Sequence, residues 1–480
     1  MIGCVLFAGR GAAGSGDGAA GGGVQPAADM AAPGAGRDVG PVRRRWFILG
    51  LFAITSLSNA AHWIMYTVIT DVVEEHYGVS SLDVNWTATV FMVAYVPLVF
   101  PASWLIDKYG LRVALILCSL LMTVGAWIKV FAVQPDHFVV AFAGQTLIGV
   151  AQMFSLGAPG RLAALWFGAR EVSLACALGV FGNQLGCAIG FLVPPLLVRG
   201  GADTATQLRT LCQIYAAVPT AVFVLIVIFF KKKPPRPPSA AQAAAIASPA
   251  NESQKSFLTT IKILLTTPNF LLLLACYGLT AGSFYALNTV LNPLVLDSFK
   301  GANQEVGSLG LTMVLVGVVG SIVGGLVLDA WHRYKQTTIL AILLGGAGMA
   351  GFGAALQLHN MAALYGAAAF LGFFTAGFVP VGYEFSAEIT YPMPEATVVG
   401  MLNAAGELSG IVVSQGGLTL LENYGNLAAM ATFLSTLTLA LVLCCFIRND
   451  LKRLAAMRVA AGNRSSIALD KTSIQNDLKA

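Results

Sequence analysis

Charge is what this chain has least of. Only 11% of its 480 residues are Asp, Glu, Lys or Arg, against roughly 25% in an ordinary soluble protein. Histidine is scarce too, with five in all, and the eight cysteines fall at no metal-ligand spacing. There is no P-loop and no nucleophile elbow. Gly346-Ala-Gly348-Met-Ala-Gly351 fits the dinucleotide-binding pattern, but it lies inside an apolar run with no strand before it, so it is a chance match. These absences exclude a soluble globular domain and leave no ground for a catalytic residue, a bound metal or a cofactor. The apolar patch Cys4–Ala8 is too short for a signal-peptide core.

What fills the chain instead is apolar sequence, 56% of all residues. It comes in runs of about 20 residues, each long enough for roughly 30 Å of hydrocarbon. Twelve spans are expected, near 46–70, 86–106, 112–133, 137–159, 172–198, 212–230, 268–297, 307–330, 337–357, 361–387, 396–420 and 426–447. The fold class is therefore an all-α, multi-pass membrane protein whose immediate partner is the lipid bilayer. Most cysteines lie inside these spans, singly or as the vicinal pair Cys444-Cys445, and free thiols are expected.

Basic residues give the orientation. Of 28 Lys and Arg, four (Lys129, Arg199, Arg209 and Lys300) fall on the side opposite the termini. The positive-inside rule then puts both termini in the cytosol, and the net charge of +5 reflects topology rather than nucleic-acid binding. The first outer loop is acidic, with Asp71, Glu74, Glu75 and Asp83, and Asn85-Trp-Thr87 is a glycosylation sequon set almost in the membrane. Residues 1–44 read as a disordered cytosolic arm. The Pro-rich run from Lys231, followed by Ala- and Ser-rich sequence, makes 231–260 a cytosolic linker. It separates a six-span half, 45–230, from a second, 261–448, with a cytosolic tail over 449–480.

The halves echo each other. Ser103 and Gly325 each lie four residues before an Asp, Asp107 and Asp329, which basic residues follow, including Arg112 and Arg333. Glu171 precedes Gly182-Asn183-Gln184 at nearly the interval by which Glu395 precedes Gly406-Glu407. Small residues at four-residue spacing (Gly182, Gly186, Gly190; Gly317 to Gly325) allow close helix approach. Two repeated six-helix halves suit alternating access around a midplane site.

Polar residues inside the spans mark candidate sites, because lipid offers them no partner. Asn59, Trp63 and Tyr66 are spaced to share one face of the first span, with His62 beside them. That face is expected to line a central pocket; His62 is first a packing histidine and second a ligand or proton carrier. On the seventh span Tyr285, Asn288 and Asn292 form another polar face, with Gly282 and Pro293 expected to loosen the helix. One aromatic from each half suits a cationic guest through cation–π attraction. Asn183, Gln184 and Glu407 are expected to contact the substrate. Glu384 and Glu388, near the cytosolic end of the tenth span, are expected to pair with Arg161 or Arg170 and hold a gate.

The loop Asp107-Lys108-x-Gly110-x-Arg112 resembles that between the second and third helices of the major facilitator superfamily, with Ser103 where that pattern has Gly. The resemblance implies the major facilitator fold and makes Asp107 and Arg112, with Asp329 and Arg333 in the second half, a latch between helix ends. At a finer level Asn59-Ala-Ala-His-Trp63-Ile-Met-Tyr66, Ala94 to Asp107, Gly125-Ala-Trp-Ile-Lys129, Ala163 to Gly168, Gly182-Asn-Gln-Leu-Gly186, Phe191 to Pro195 and Glu384 to Pro392 resemble the feline leukaemia virus subgroup C receptor-related transporters. The resemblance runs from about Arg44 to Arg448. It implies facilitated transport of choline and ethanolamine across the plasma membrane; a monomer without cofactor is expected. Trp63 and Tyr285 would cage the ammonium group and Gln184 would lie nearby, while Glu407 stands where that family usually has Gln. Haem export or import, a sensor role, and mitochondrial or endoplasmic-reticulum residence are the alternatives. Haem fits less well: it carries two propionates and wants an axial ligand, and His62 is the one histidine deep in a span.

Overall fold

Residues 44–168, 171–231, 253–331, 333–448 and 450–455 are described by the computed structural model. Within them twelve helices are long and apolar enough to cross a bilayer. We number them α1 (Arg44–Tyr77, interrupted), α2 (Ser81–Tyr109), α3 (Leu111–Phe131), α4 (Phe138–Leu156), α5 (Val172–Leu197), α6 (Thr204–Phe229), α7 (Pro268–Ser298), α8 (Asn303–Trp331), α9 (Tyr334–Gln357), α10 (Met361–Thr390), α11 (Glu395–Tyr424) and α12 (Asn426–Phe446). An even number of crossings brings both ends of the described chain to one side of the bundle, here called the terminal side. Arg44 donates to the carbonyl of Phe229 there, and Asn269 and Arg448 exchange two hydrogen bonds.

Small residues set how closely the helices approach. On α5, a Cβ added at Gly186 would lie 2.2 Å from the carbonyl oxygen of Leu57 on α1, and on α8 one at Gly320 would lie 2.0 Å from that of Phe373 on α10. Both pairs are close backbone packings that any side chain would force apart. Gly110 turns the chain between α2 and α3 at φ 89°, in the left-handed region that favours glycine.

Some boundaries depart from the sequence reading. The helical run of α1 stops at Ile64, passes through a turn and the short 3-10 segment Thr67–Ile69, and resumes as Thr70–Tyr77. Asp71, Glu74 and Glu75, expected in a loop, are therefore helical. A capping box in which Ser80 and Asp83 serve each other's backbone amides starts α2 at Ser81, well before the expected 86. Glu74 also accepts a hydrogen bond from Ser81. Asn85 is thus in the second turn of α2 and 2% exposed, which withdraws it from a glycosylating enzyme. Pro293 leaves α7 unbroken. The linker expected to reach 260 gives way to a helix over Ser253–Leu265. The arm, residues 232–252, Arg170 and the tail past 455 lie outside the described residues, as do the side chains of Asp107 and Asp329.

Candidate functional site: a central cavity between the halves

A cavity of about 150 Å³ lies between the two sets of six helices. It takes Asn59 and Trp63 from α1, Asn183 and Gln184 from α5, Tyr285 and Asn288 from α7, and Glu407 from α11. The regular helical period carries Asn59 with Trp63, and Tyr285 with Asn288, onto one face of their helices. Trp63 and Tyr285 meet edge to face, their ring centroids 6.3 Å apart and their planes at 89°, so two aromatic walls form a corner. Glu407 is the one charged residue among the lining residues described, and it is 9% exposed.

Two expected pocket residues face elsewhere. Tyr66 is buried among α3 and α6, its hydroxyl 3.8 Å from Cys212 Sγ, because α1 loses its helical period after Ile64 and the i+7 spacing no longer holds. His62 donates through Nδ1 to the carbonyl of Ser58 at 2.7 Å, and its ring meets Tyr215 edge-on. Neither lines the cavity.

The same interruption explains the burial of a basic residue whose depth charge counting does not give. Lys129, assigned from sequence to the outer side, is fully buried in α3. Its Nζ donates to Gln145 Oε1 at 2.7 Å, lies 3.3 Å from Met65 Sδ and sits 4.9 Å from the centre of the Tyr66 ring. Gln145 in turn donates to the carbonyl of His62 at 2.7 Å. A helix that stops short leaves its last carbonyls without partners, and here Gln145, fixed in orientation by Lys129, satisfies one of them next to Trp63. Thr67 takes the carbonyl of Ile64.

The carbonyl of Val68, freed in the same way, joins the halves. Asn292 of α7 donates to it at 2.9 Å and to Asn303 Oδ1 at 3.0 Å, while Asn303 donates to Asp71 at 2.8 Å. Gln415 of α11 reaches Thr89 of α2 at 3.2 Å. All these contacts lie in the half of the bundle away from the terminal side, which they seal above the cavity.

Near the terminal side the named contacts stay within each half. Arg45 and Glu171 form an ion pair at 2.8 Å. Arg112 donates to the carbonyl of Val227, and Arg161 to that of Ser103. Glu388 accepts from Tyr334 at 3.2 Å and from the amide of Leu454 at 3.0 Å. Glu384 is 8% exposed and Arg333 is exposed. Arg453 pairs with Glu395 at 3.6 Å, whose carboxyl burial pushes up in pKa while Arg453 pulls it down.

Sequence reasoning passed over four lining amides and hydroxyls, Gln152, Ser321, Tyr383 and Asn403. Asn403 lies four residues before Glu407, a spacing that signals a shared face, and it accepts from Tyr383 at 2.6 Å. Gln152 of α4 lies seven residues after Gln145, a spacing that also signals a shared face.

Two six-helix sets enclosing one cavity define a membrane transporter of the major facilitator type. The sequence profile described as the Major Facilitator Superfamily matches residues 48–289 and 273–469. The choline/ethanolamine transporter flvcr2a of Danio rerio is 42% identical over 88% of this chain and 90% of its own. The choline/ethanolamine transporter FLVCR1 of Felis catus is 44% identical over 85% of this chain and 74% of its own. Among solved structures, a D-xylose-proton symporter superposes with a TM-score of 0.65 over 85% of this chain and 98% of its own, at 13% identity. The chain belongs to the major facilitator superfamily and, within it, to the FLVCR choline/ethanolamine transporter family.

Proposed function

We propose that this protein carries choline and ethanolamine across the plasma membrane by alternating access, with both termini in the cytosol. The cavity supports a cation above all: two aromatic walls, one carboxylate, and no Lys, Arg or His among its described lining residues. Trp63 and Tyr285 would each contribute on the order of 1–2 kcal/mol to a desolvated ammonium group. Glu407 would balance its charge, and Asn59, Asn183, Gln184 and Asn288 would surround the rest of the solute. The seal away from the terminal side fits a state open to the cytosol.

A membrane potential negative inside draws a +1 solute inward by roughly 2.3 kcal/mol per 100 mV, so net uptake needs no second gradient. A haem has two propionates to place, and no Lys or Arg stands among the described lining residues to receive them. The test is saturable uptake of radiolabelled choline in cells expressing the chain, with unlabelled ethanolamine and haemin as competitors. Uptake blocked by ethanolamine supports the proposal. No uptake despite surface expression sinks it and moves haem or sensing ahead.

A further inference from the structure

Buried acceptors in the cavity lack a partner among the described residues. Asn288, 4% exposed, commits its amide nitrogen to the carbonyl of Phe284 at 2.6 Å, which leaves its Oδ1 buried with no partner. Gln152 Oε1 is likewise buried without one. Glu407 adds two carboxylate oxygens to the same enclosed space. Around the aromatic corner the cavity thus holds several acceptors that no side chain or backbone group serves.

Acceptors of this kind tell one ammonium from another. The aromatic corner attracts any cation, methylated or not. A primary ammonium also brings three N–H donors, whereas a quaternary ammonium brings none and leaves buried acceptors unpaired. Each such unmade bond weakens binding on the order of tenfold, and more where the acceptor is charged. Sites built to bond an N–H discriminate strongly against analogues that lack it.

Resting on the transport reading above, we infer that this cavity selects ammonium solutes that keep N–H donors, favouring ethanolamine over choline, with Glu407 as the discriminating residue. Asn288 Oδ1 and Gln152 Oε1 take the remaining N–H bonds or the solute's hydroxyl. Trp63 and Tyr285 hold the charge without reading its substituents.

The test is competition against labelled ethanolamine in proteoliposomes by ethanolamine and its N-methyl, N,N-dimethyl and N,N,N-trimethyl (choline) derivatives. In the wild-type protein the half-inhibitory concentration should rise with each methyl group, about tenfold or more across the series. Glu407→Gln should flatten that series about tenfold, and Asn288→Leu should flatten it less. The wild-type series carries the test should either variant fail to fold. A flat or reversed wild-type series, with saturable transport intact, overturns the preference and leaves the transporter reading standing. A graded series unchanged in a folded Glu407→Gln protein overturns the role of Glu407. No saturable transport of any of the four overturns the transporter reading itself, and this inference with it.

Discussion

The indole of Trp63 and the phenol ring of Tyr285 stand at 89° to each other, with centroids 6.3 Å apart, although they come from α1 and α7 in different halves. The corner they make exists only while the halves are in register around the cavity. Removing one wall should therefore harm binding beyond the loss of that ring's own attraction.

Trp63→Ala and Tyr285→Ala should each raise the KM for choline uptake more than tenfold, since roughly 1–2 kcal/mol of lost cation–π attraction alone accounts for about tenfold. Tyr285→Phe keeps a ring and should lose far less. The double alanine variant should be less impaired than the product of the two single effects, since either loss opens the corner. Uptake normalised to surface expression checks all four; an unaltered KM in Trp63→Ala would remove the corner from the binding site.

Asp71→Ala deletes the acceptor that holds Asn303 across the halves, and Asn292→Ala deletes the donor to Val68. Each lost bond is worth about 1 kcal/mol, so both variants should spend more time open on the sealed side. Cys187, which lines the cavity, is a built-in reporter. A membrane-impermeant maleimide added outside should label it several-fold faster in either variant than in the wild type. Equal rates would place the seal elsewhere.

Lys129→Met removes the group that orients Gln145, and Gln145→Leu removes the donor to His62. Each should destabilise the protein by about 1–3 kcal/mol by leaving buried polar atoms unpaired. Because the two act in one chain of contacts, the double variant should cost little more than either alone. Thermal unfolding in detergent reads this directly, and fully additive losses would dissolve the chain of contacts.

Asn85, buried in α2, should carry no glycan. Endoglycosidase treatment should leave the electrophoretic mobility of the expressed protein unchanged, and Asn85→Gln should match the wild type in size.

Much of this was readable in the chain. Polar pairs such as Asn59 with Trp63 and Tyr285 with Asn288 reached the cavity because the helical period is unbroken between them. Tyr66 was projected wrongly because nothing in Met65-Tyr66-Thr67 announces that α1 stops: no proline or glycine marks the interruption, which tertiary partners on α3, α4 and α7 hold in place. The burial of Lys129 was hidden for a related reason, since counting charge by side says nothing of depth, and its partners are neutral groups distant in sequence. Gln152 was passed over although Gln145, seven residues earlier, marks the same face of α4.

The interruption of α1 has a bearing on how this family can drift. Asn292 grips position 68 through its main-chain carbonyl, so the identity of the side chain there is immaterial to the grip. Apolar exchanges of similar volume at Val68, which is buried in the core, should leave the grip intact, whereas position 292 tolerates only a residue that still offers an N–H at the same reach. The contact itself constrains the side chain of one partner and only the packing constrains that of the other.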